Sequence, residues 1–588
     1  MENKKYNVLS AVAICAKCAP AATIANVILN VISGILAPVM VYVVAVFVDS
    51  AVTLTSSEPH TKILLISIAA MVIWYTYNQL SPVLGRLLTK NTENKLKIKL
   101  RPLMVKKQAS LNFESMENDK TLDLIEFVSQ NTEAKFVGVM SSFISSMSLV
   151  IQMAGILSIL LSYVWWVPLI FLFGAVPLIV LSFKGGKKIY KSYKKVSVLS
   201  RTMNYLSEIL CSRESSAERT LFGYTKAINE KFRITHLKRS NLNTKTIAVE
   251  MTQSKACSIA LNIFVLIAMF SMINQVADKT ISIGLYISIT GAMINLIGIL
   301  SNALSQLIYD LSEYIEYFKD FTRFFALPGN ENVLEYTKNN ANFEGMIIKN
   351  LWFKYKDTDD YVLKGVNLHI EKGKSYSLIG KNGAGKTTLT KIITGLYRDF
   401  EGEIIVNGRD IKEYGLSELR DIFSVVYQDY AKYYISLSDN ITFGADSDNF
   451  EELAKIVELD GVTGKLPQGK KTPLGKIFDS GTDISAGEWQ KIAIARSVYR
   501  DCPFMVLDEP TASLSPMTET KIYNKFAEIS AGHTLLLISH RLGSTKLSEK
   551  LLVLDGGKIA EEGSHGELIQ KNGIYAEMFG SQRSWYDE

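Results

Sequence analysis

The sequence predicts a polytopic α-helical membrane domain, six transmembrane helices with long cytoplasmic extensions, followed by an α/β domain built on a phosphate-binding loop (P-loop). Three observations predict it. Of the 588 residues 48% are apolar and only 21% charged, against about 25% charge in ordinary soluble domains. Six apolar runs long enough to cross a bilayer crowd the first half, and a strand–glycine loop–helix pattern opens the second half. A chain of this length exceeds one compact core. Disorder, collagen and a disulfide scaffold are excluded, the last because five cysteines are too few and too scattered. Residues 1–330 carry 33 Lys and Arg against 20 Asp and Glu, whereas residues 331–588 carry 31 against 38. The basic half is also the apolar half, which points to a membrane surface and away from nucleic acid.

A bilayer is crossed by roughly 17–25 apolar residues. The windows are 21–48, 62–80, 138–162, 164–183, 256–276 and 281–303. The first contains Gly34 and Pro38, which a span tolerates where neighbouring helices repair the backbone. Ser162–Trp166 joins the third and fourth almost without polar residues and reads as a tight hairpin with interfacial tryptophans.

Orientation follows from Lys and Arg. The stretch 84–136 holds ten of them and 184–255 sixteen, while the opposite loops offer little beyond Asp49, Glu58, Lys62, Asp278 and Lys279. The positive-inside rule then puts both basic segments and both termini in the cytoplasm. Met1–Pro20 lacks the ordered regions of a cleavable signal peptide. Residues 92–110 and 186–212 keep three-to-four apolar spacing among lysines, so spans two to five are expected to continue past the membrane as helical stalks. At the stalk tips, Leu111–Ile125 and Arg213–Phe232, acidic and aromatic residues break the basic pattern; these read as docking elements.

Tyr314–Phe325 extends the last span as an amphipathic helix, and Pro328-Gly329-Asn330 breaks it. The expected bounds are a membrane domain over 1–330, a linker over 331–342 and the α/β domain over 343–588. Ser375–Ile379 reads as a strand running into Gly380-Lys381-Asn382-Gly383-Ala384-Gly385-Lys386-Thr387-Thr388, with helical spacing after it. That is a phosphate loop in its required context. Its glycines let backbone N–H groups close on a nucleotide's phosphates, Lys386 reaches the β- and γ-phosphates, and the Thr387 hydroxyl binds Mg²⁺. Phe504–Leu507 is a buried strand ending in two carboxylates. Asp508 is placed to hold Mg²⁺ and Glu509 to polarise the attacking water.

With these motifs quoted, the chain resembles an ATP-binding cassette (ABC) half-transporter of the exporter fold over nearly its whole length. The resemblance adds Ile484–Lys491 as the signature, with Ser485, Gly487 and Glu488 facing a partner's nucleotide. It adds Tyr355 as the adenine-stacking aromatic, Gln428 as the glutamine that senses Mg²⁺ and water, and His540 as the switch histidine at the γ-phosphate. Leu111–Lys120 and Arg213–Phe222 match coupling helices. Ala486 and Glu488 depart from the usual glycine and glutamine, and Ser515 stands where the family usually has Asp.

The resemblance implies hydrolysis of Mg-ATP and a dimer in which each phosphate loop meets the other chain's signature. A homodimer is expected, since both halves of a site lie on this chain; a heterodimer is the alternative. The cell membrane of a bacterium is the expected location. The span interiors hold no Asp, Glu, Lys or Arg, which argues against a small charged solute that needs a counter-ion. Their amides, aromatics and methionines (Asn26, Asn30, Asn78, Tyr42, Met153 among them) suit a large amphipathic solute. The variant signature and Gly573–Phe579 resemble exporters of modified peptide antibiotics and drugs. Export of an amphipathic peptide is therefore the reading; alternatives are lipid or multidrug export, then import or an ATP-gated channel. Met1–Pro20 is too short for a peptidase domain, so a peptide would lose its leader to a separate enzyme. Cys15 and Cys18 have redox spacing but no second ligand pair, and no role is assigned to them.

Overall fold

The computed structural model describes residues 5–55, 61–329, 339–356, 358–444, 450–477, 480–510, 521–522, 532–539 and 548–583. The chain divides into two compact units, Met1–Leu111 with Ser115–Pro328, and Asn112–Glu114 with Gly329–Glu588.

The first unit is helical. A short helix α1 (Val8–Cys18) starts at Asn7, whose side chain accepts the Ser10 N–H. Then follow α2 (Pro20–Val52), α3 (Thr61–Ala109), α4 (Phe113–Glu117), α5 (Asp119–Ser129), α6 (Thr132–Tyr163), α7 (Val167–Cys211), α8 (Ser216–Phe222), α9 (Thr225–Ala277), α10 (Ile283–Gly298) and α11 (Ser305–Phe325). A π-helical turn, Ile299–Leu304, joins α10 to α11. Six of these segments are long and apolar enough to cross a membrane, and each contains or overlaps one expected window. Helices of 49, 45 and 53 residues (α3, α7, α9) rise about 1.5 Å per residue, which is at least twice a hydrocarbon core of about 30 Å. The third span departs from the expected long stalk. Asn131 takes a left-handed backbone (φ +55°), which ends α5 and starts α6 afresh at Thr132.

Glycines set how closely α2 and α6 meet. A Cβ on Gly155 would stand 2.3 Å from Pro38, and one on Gly34 2.9 Å from the Ser148 carbonyl oxygen. The proline that removes a helical hydrogen bond thus packs into the space a glycine opens, a small-residue crossing of the kind that holds membrane helices together. Apolar side chains of α6, α7, α9 and α10 form one core. Aromatics of α11 form a second, where Phe318 and Phe321 lie against Phe136 at ring separations of 5.0 and 5.2 Å. Charges buried beside this second core are paired: Asp320 accepts from Lys194 at 2.6 Å and from the Tyr190 hydroxyl at 2.5 Å.

The second unit is α/β. Its strands are β1 (Gly345–Phe353), β2 (Leu363–Glu371), β3 (Ser375–Ile379), β4 (Glu401–Val406), β5 (Arg409–Asp410), β6 (Phe423–Val426), β7 (Phe504–Asp508), β8 (Thr534–Ile538), β9 (Lys550–Asp555) and β10 (Lys558–Gly563). Two sheets result, ordered β2-β1-β4-β5 and β10-β9-β3-β8-β7-β6. In the larger, β3, β6, β7, β8 and β9 run parallel, and β7 and β8 are buried at every residue. Helix α12 (Lys386–Ile393) follows β3, and α13 (Ala486–Arg500) precedes β7. Because β3 and β7 flank β8 and run parallel to it, the loops leaving both emerge at the same carboxyl edge of the sheet, one on either side of β8. That edge is where open parallel sheets place ligands.

Candidate functional site

The phosphate loop occupies the turn from β3 to α12. Gly383 and Gly385 have φ of +78° and +103°, which side chains with a Cβ rarely adopt. Gly380 is required by crowding instead, since a Cβ there would lie 2.2 Å from the Leu554 carbonyl oxygen. Lys386 is the first residue of α12 and is buried. Its ammonium donates to the carbonyls of Gly380 and Lys381 at 2.9 and 3.1 Å, which holds it over the loop. Burial pushes its pKa down, against the pull of Glu509 and Asp508. Lys381, Asn382 and Gly383 are exposed at the rim, while Ala384 and Thr388 are buried under it.

Asp508 closes β7. Its Oδ2 accepts from the Thr387 hydroxyl at 3.0 Å. Its Oδ1 is buried and has no hydrogen-bond partner among the described residues. Burial first, then the charge of Glu509, raises its pKa to about 6, against the Thr387 hydrogen bond and Lys386. A buried carboxylate oxygen without a donor, beside a hydroxyl, is the donor set that a hard divalent cation such as Mg²⁺ takes.

Glu509 is held from three sides. Its backbone is left-handed (φ +48°), and its N–H donates to the Ile538 carbonyl at 2.9 Å. Its carboxylate accepts from Gln428 Nε2 at 3.0 Å, and its carbonyl accepts from Gln490 Nε2 at 3.3 Å. The structure thus brings together Lys386, Thr387, Asp508, Glu509 and Gln428 as the sequence expects. Gln490 was not anticipated. Buried on α13, it ties the signature helix to the backbone of Glu509. Its position one residue after the buried Trp489 marks an inward face, but no sequence signal names its partner.

Ser485 caps α13. Its hydroxyl accepts the Glu488 N–H at 3.2 Å, and Glu488 Oε2 takes the Ser485 N–H at 2.7 Å and its hydroxyl at 2.8 Å. The Tyr430 hydroxyl donates to the Ala486 carbonyl at 3.0 Å. Glu488 is therefore engaged with its own turn, and Gly487 is half-buried beside it. Tyr355 lies edge-on to Tyr397 at 5.7 Å, and its hydroxyl shares a hydrogen bond with Thr388 at 2.8 Å. His540 and Ser515 lie outside the described residues.

Residues 363–512 match the ABC transporter family. The chain is 26% identical to the subtilin transport ATP-binding protein SpaT of Bacillus subtilis over 558 residues, covering 93% of this chain and 90% of that protein. It is 29% identical to an ATP-dependent lipid A-core flippase of Legionella pneumophila over 76% of this chain and 74% of that protein. A bacterial Atm1-family ABC exporter with ATP bound has the same fold, with a TM-score of 0.79 at 20% identity, over 96% of this chain and 98% of that one. With six apolar helices ahead of a phosphate loop and its paired carboxylates, the chain carries an ABC transporter domain over residues 363–512 and has the fold of a multi-pass ABC exporter half-transporter, an architecture that couples ATP hydrolysis to transport.

Proposed function

We propose that the chain works as a homodimer in a bacterial cell membrane, exporting an amphipathic, modified peptide from the cytoplasm at the expense of Mg-ATP. The observation that carries the cargo is coverage. The likeness to the subtilin transporter runs through the membrane domain as well as the ATPase domain, and the membrane domain is where cargo is chosen. The basic stalks support a cytoplasmic ATPase domain. Domain bounds of 1–330, 331–342 and 343–588 belong to the same reading.

In this reading the loop N–H groups from Gly380 to Thr388 and the Lys386 ammonium hold the phosphates, and Tyr355 takes the adenine face. Thr387, Gln428 and Asp508 would hold Mg²⁺, which neutralises charge on the β- and γ-phosphates when bound. Glu509 takes a proton from the attacking water, and Gln428, already bonded to it, orients that carboxylate. His540 contacts the γ-phosphate. Ser485 and Gly487 of each chain close the other chain's site, with Glu488 setting the shape of that turn.

Lipid export is the second reading, favoured by the flippase likeness over three quarters of the chain. ATPase activity of the full chain in lipid nanodiscs, measured across peptide, drug and lipid panels, tests the choice. Peptide stimulation is expected. A response to lipids or dyes with none to any peptide overturns the peptide reading. Accumulation of labelled cargo inside inside-out vesicles is expected too, whereas simple equilibration would indicate a channel.

A further inference from the structure

A cavity of about 910 Å³ opens between α2, α3 and α6. Polar side chains recur among the apolar ones that line it, on helices that are otherwise apolar. Asn26 is buried there and donates to the Thr89 hydroxyl at 3.4 Å, while its side-chain oxygen and its carbonyl accept from the Asn30 amide at 3.0 and 2.9 Å. Those two amides are therefore committed to the wall. Asn78, exposed on the same cavity, has no hydrogen-bond partner among the described residues. Neither has Arg86, six residues beyond the apolar window of the second span and on the same continuous helix. Lys90, one turn further, is paired with Glu93 at 2.9 Å, so the guanidinium is the charge of this cavity left without a counter-ion. Val83 and Leu87 flank it, exposed and apolar.

An arginine near the apolar region of a bilayer is costly and usually faces a functional cavity. Its planar fork matches two oxygens of a carboxylate or phosphate, which an ammonium does not. We propose that this cavity receives the anionic end of the transported amphipath, a carboxylate or phosphate group. Arg86 supplies the fork and Asn78 a neutral donor, and the apolar part of the cargo lies along Val83 and Leu87. The inference rests on the export reading and deepens it. The interior of the second span is free of charge, but the helix carries a cation to the cavity just past its window.

The test uses the full chain in nanodiscs of zwitterionic lipid. Three fluorescent probes are compared: an amphipathic peptide without acidic side chains and with a free C-terminal carboxylate, the same peptide amidated, and a dodecyl phosphate. Binding is read by anisotropy and, separately, as ATPase stimulation. The acid should bind on the order of tenfold more tightly than the amide, as one charge-assisted contact allows. Arg86→Gln should abolish that ratio, and Arg86→Lys should keep part of it. Asn78→Asp, which adds a carboxylate to the same wall, should reverse the ratio and stands in if Arg86→Gln does not fold. An Arg86-dependent preference for dodecyl phosphate alone assigns the anion to a lipid; one for the peptide acid assigns it to a peptide. No Arg86-dependent preference for either overturns the site. Arg86-dependent binding without ATPase stimulation keeps the site and sinks the export reading, whereas equal stimulation by acid and amide keeps export and sinks the site.

Discussion

Glu509 places its Cβ in backbone space that side chains seldom occupy, at a cost of about 1–3 kcal/mol. The surroundings impose it, through the Ile538 carbonyl on one side and the Gln490 amide on the other. What the strain achieves is direction: the carboxylate meets Gln428. Glu509→Gln keeps a hydrogen-bonding side chain of the same size there but removes the base. We expect nucleotide binding to survive and turnover to fall by roughly 10²–10⁴-fold, the usual worth of a general base; steady-state ATPase with parallel nucleotide binding checks it, and wild-type turnover would refute the assignment. Asp508 gives a pH prediction. Its pKa of about 6 lies above the ordinary value of about 3.9. Between these the folded state holds more protons than the unfolded one, so without metal this group's contribution to stability grows as pH falls through 6 and is lost as pH rises through it. A cation must displace that proton. Apparent Mg²⁺ affinity, titrated calorimetrically with a saturating non-hydrolysable ATP analogue, should drop on the order of tenfold from pH 7 to pH 5, and a flat profile would show that Asp508 does not take the metal. The two carboxylates were legible in the sequence because an apolar strand delivers them. The left-handed turn and the Gln490 contact were not, because both depend on neighbours distant in the chain.

Element ends were harder to read than element interiors. Apolar runs announced the six spans and the buried strands, since burial on every side leaves no ambiguity of face. The break between α5 and α6 escaped because one left-handed Asn131 makes it, inside a stretch whose spacing still suits a helix. The start of α13 teaches the reverse. Glu488 looked like a departure at the nucleotide, yet it completes a capping box with Ser485, a role that Glu and Gln fill alike. Glu488→Gln should therefore leave thermal stability nearly unchanged, whereas Glu488→Ala should cost about 1 kcal/mol through the lost cap. Equal melting of the two variants would show that the box does not support the helix.

At the scale of the whole molecule, one chain offers a phosphate loop and a signature turn on the same domain. Native mass spectrometry of the purified chain should show a species of twice 65.6 kDa with ATPase activity, and a monomer inactive without another subunit would replace the homodimer with a heterodimer. The spans contribute unequally to the fold of the single chain. Half of the most apolar stretch of the last one, Ile283–Phe325, is buried inside the protein, against 6% for the second. Biosynthesis meets these helices in order. The second leaves its apolar stretch mostly toward lipid while it packs on the first, and the surface that the last one packs against waits until some 325 residues have been made. Until then the earlier helices pack on one another, α2 on α3 and α6, and α7 on α9, with one packing face still open. A stop codon or lesion in the last span therefore leaves inserted helices with an uncovered packing face, a form open to membrane quality-control proteases.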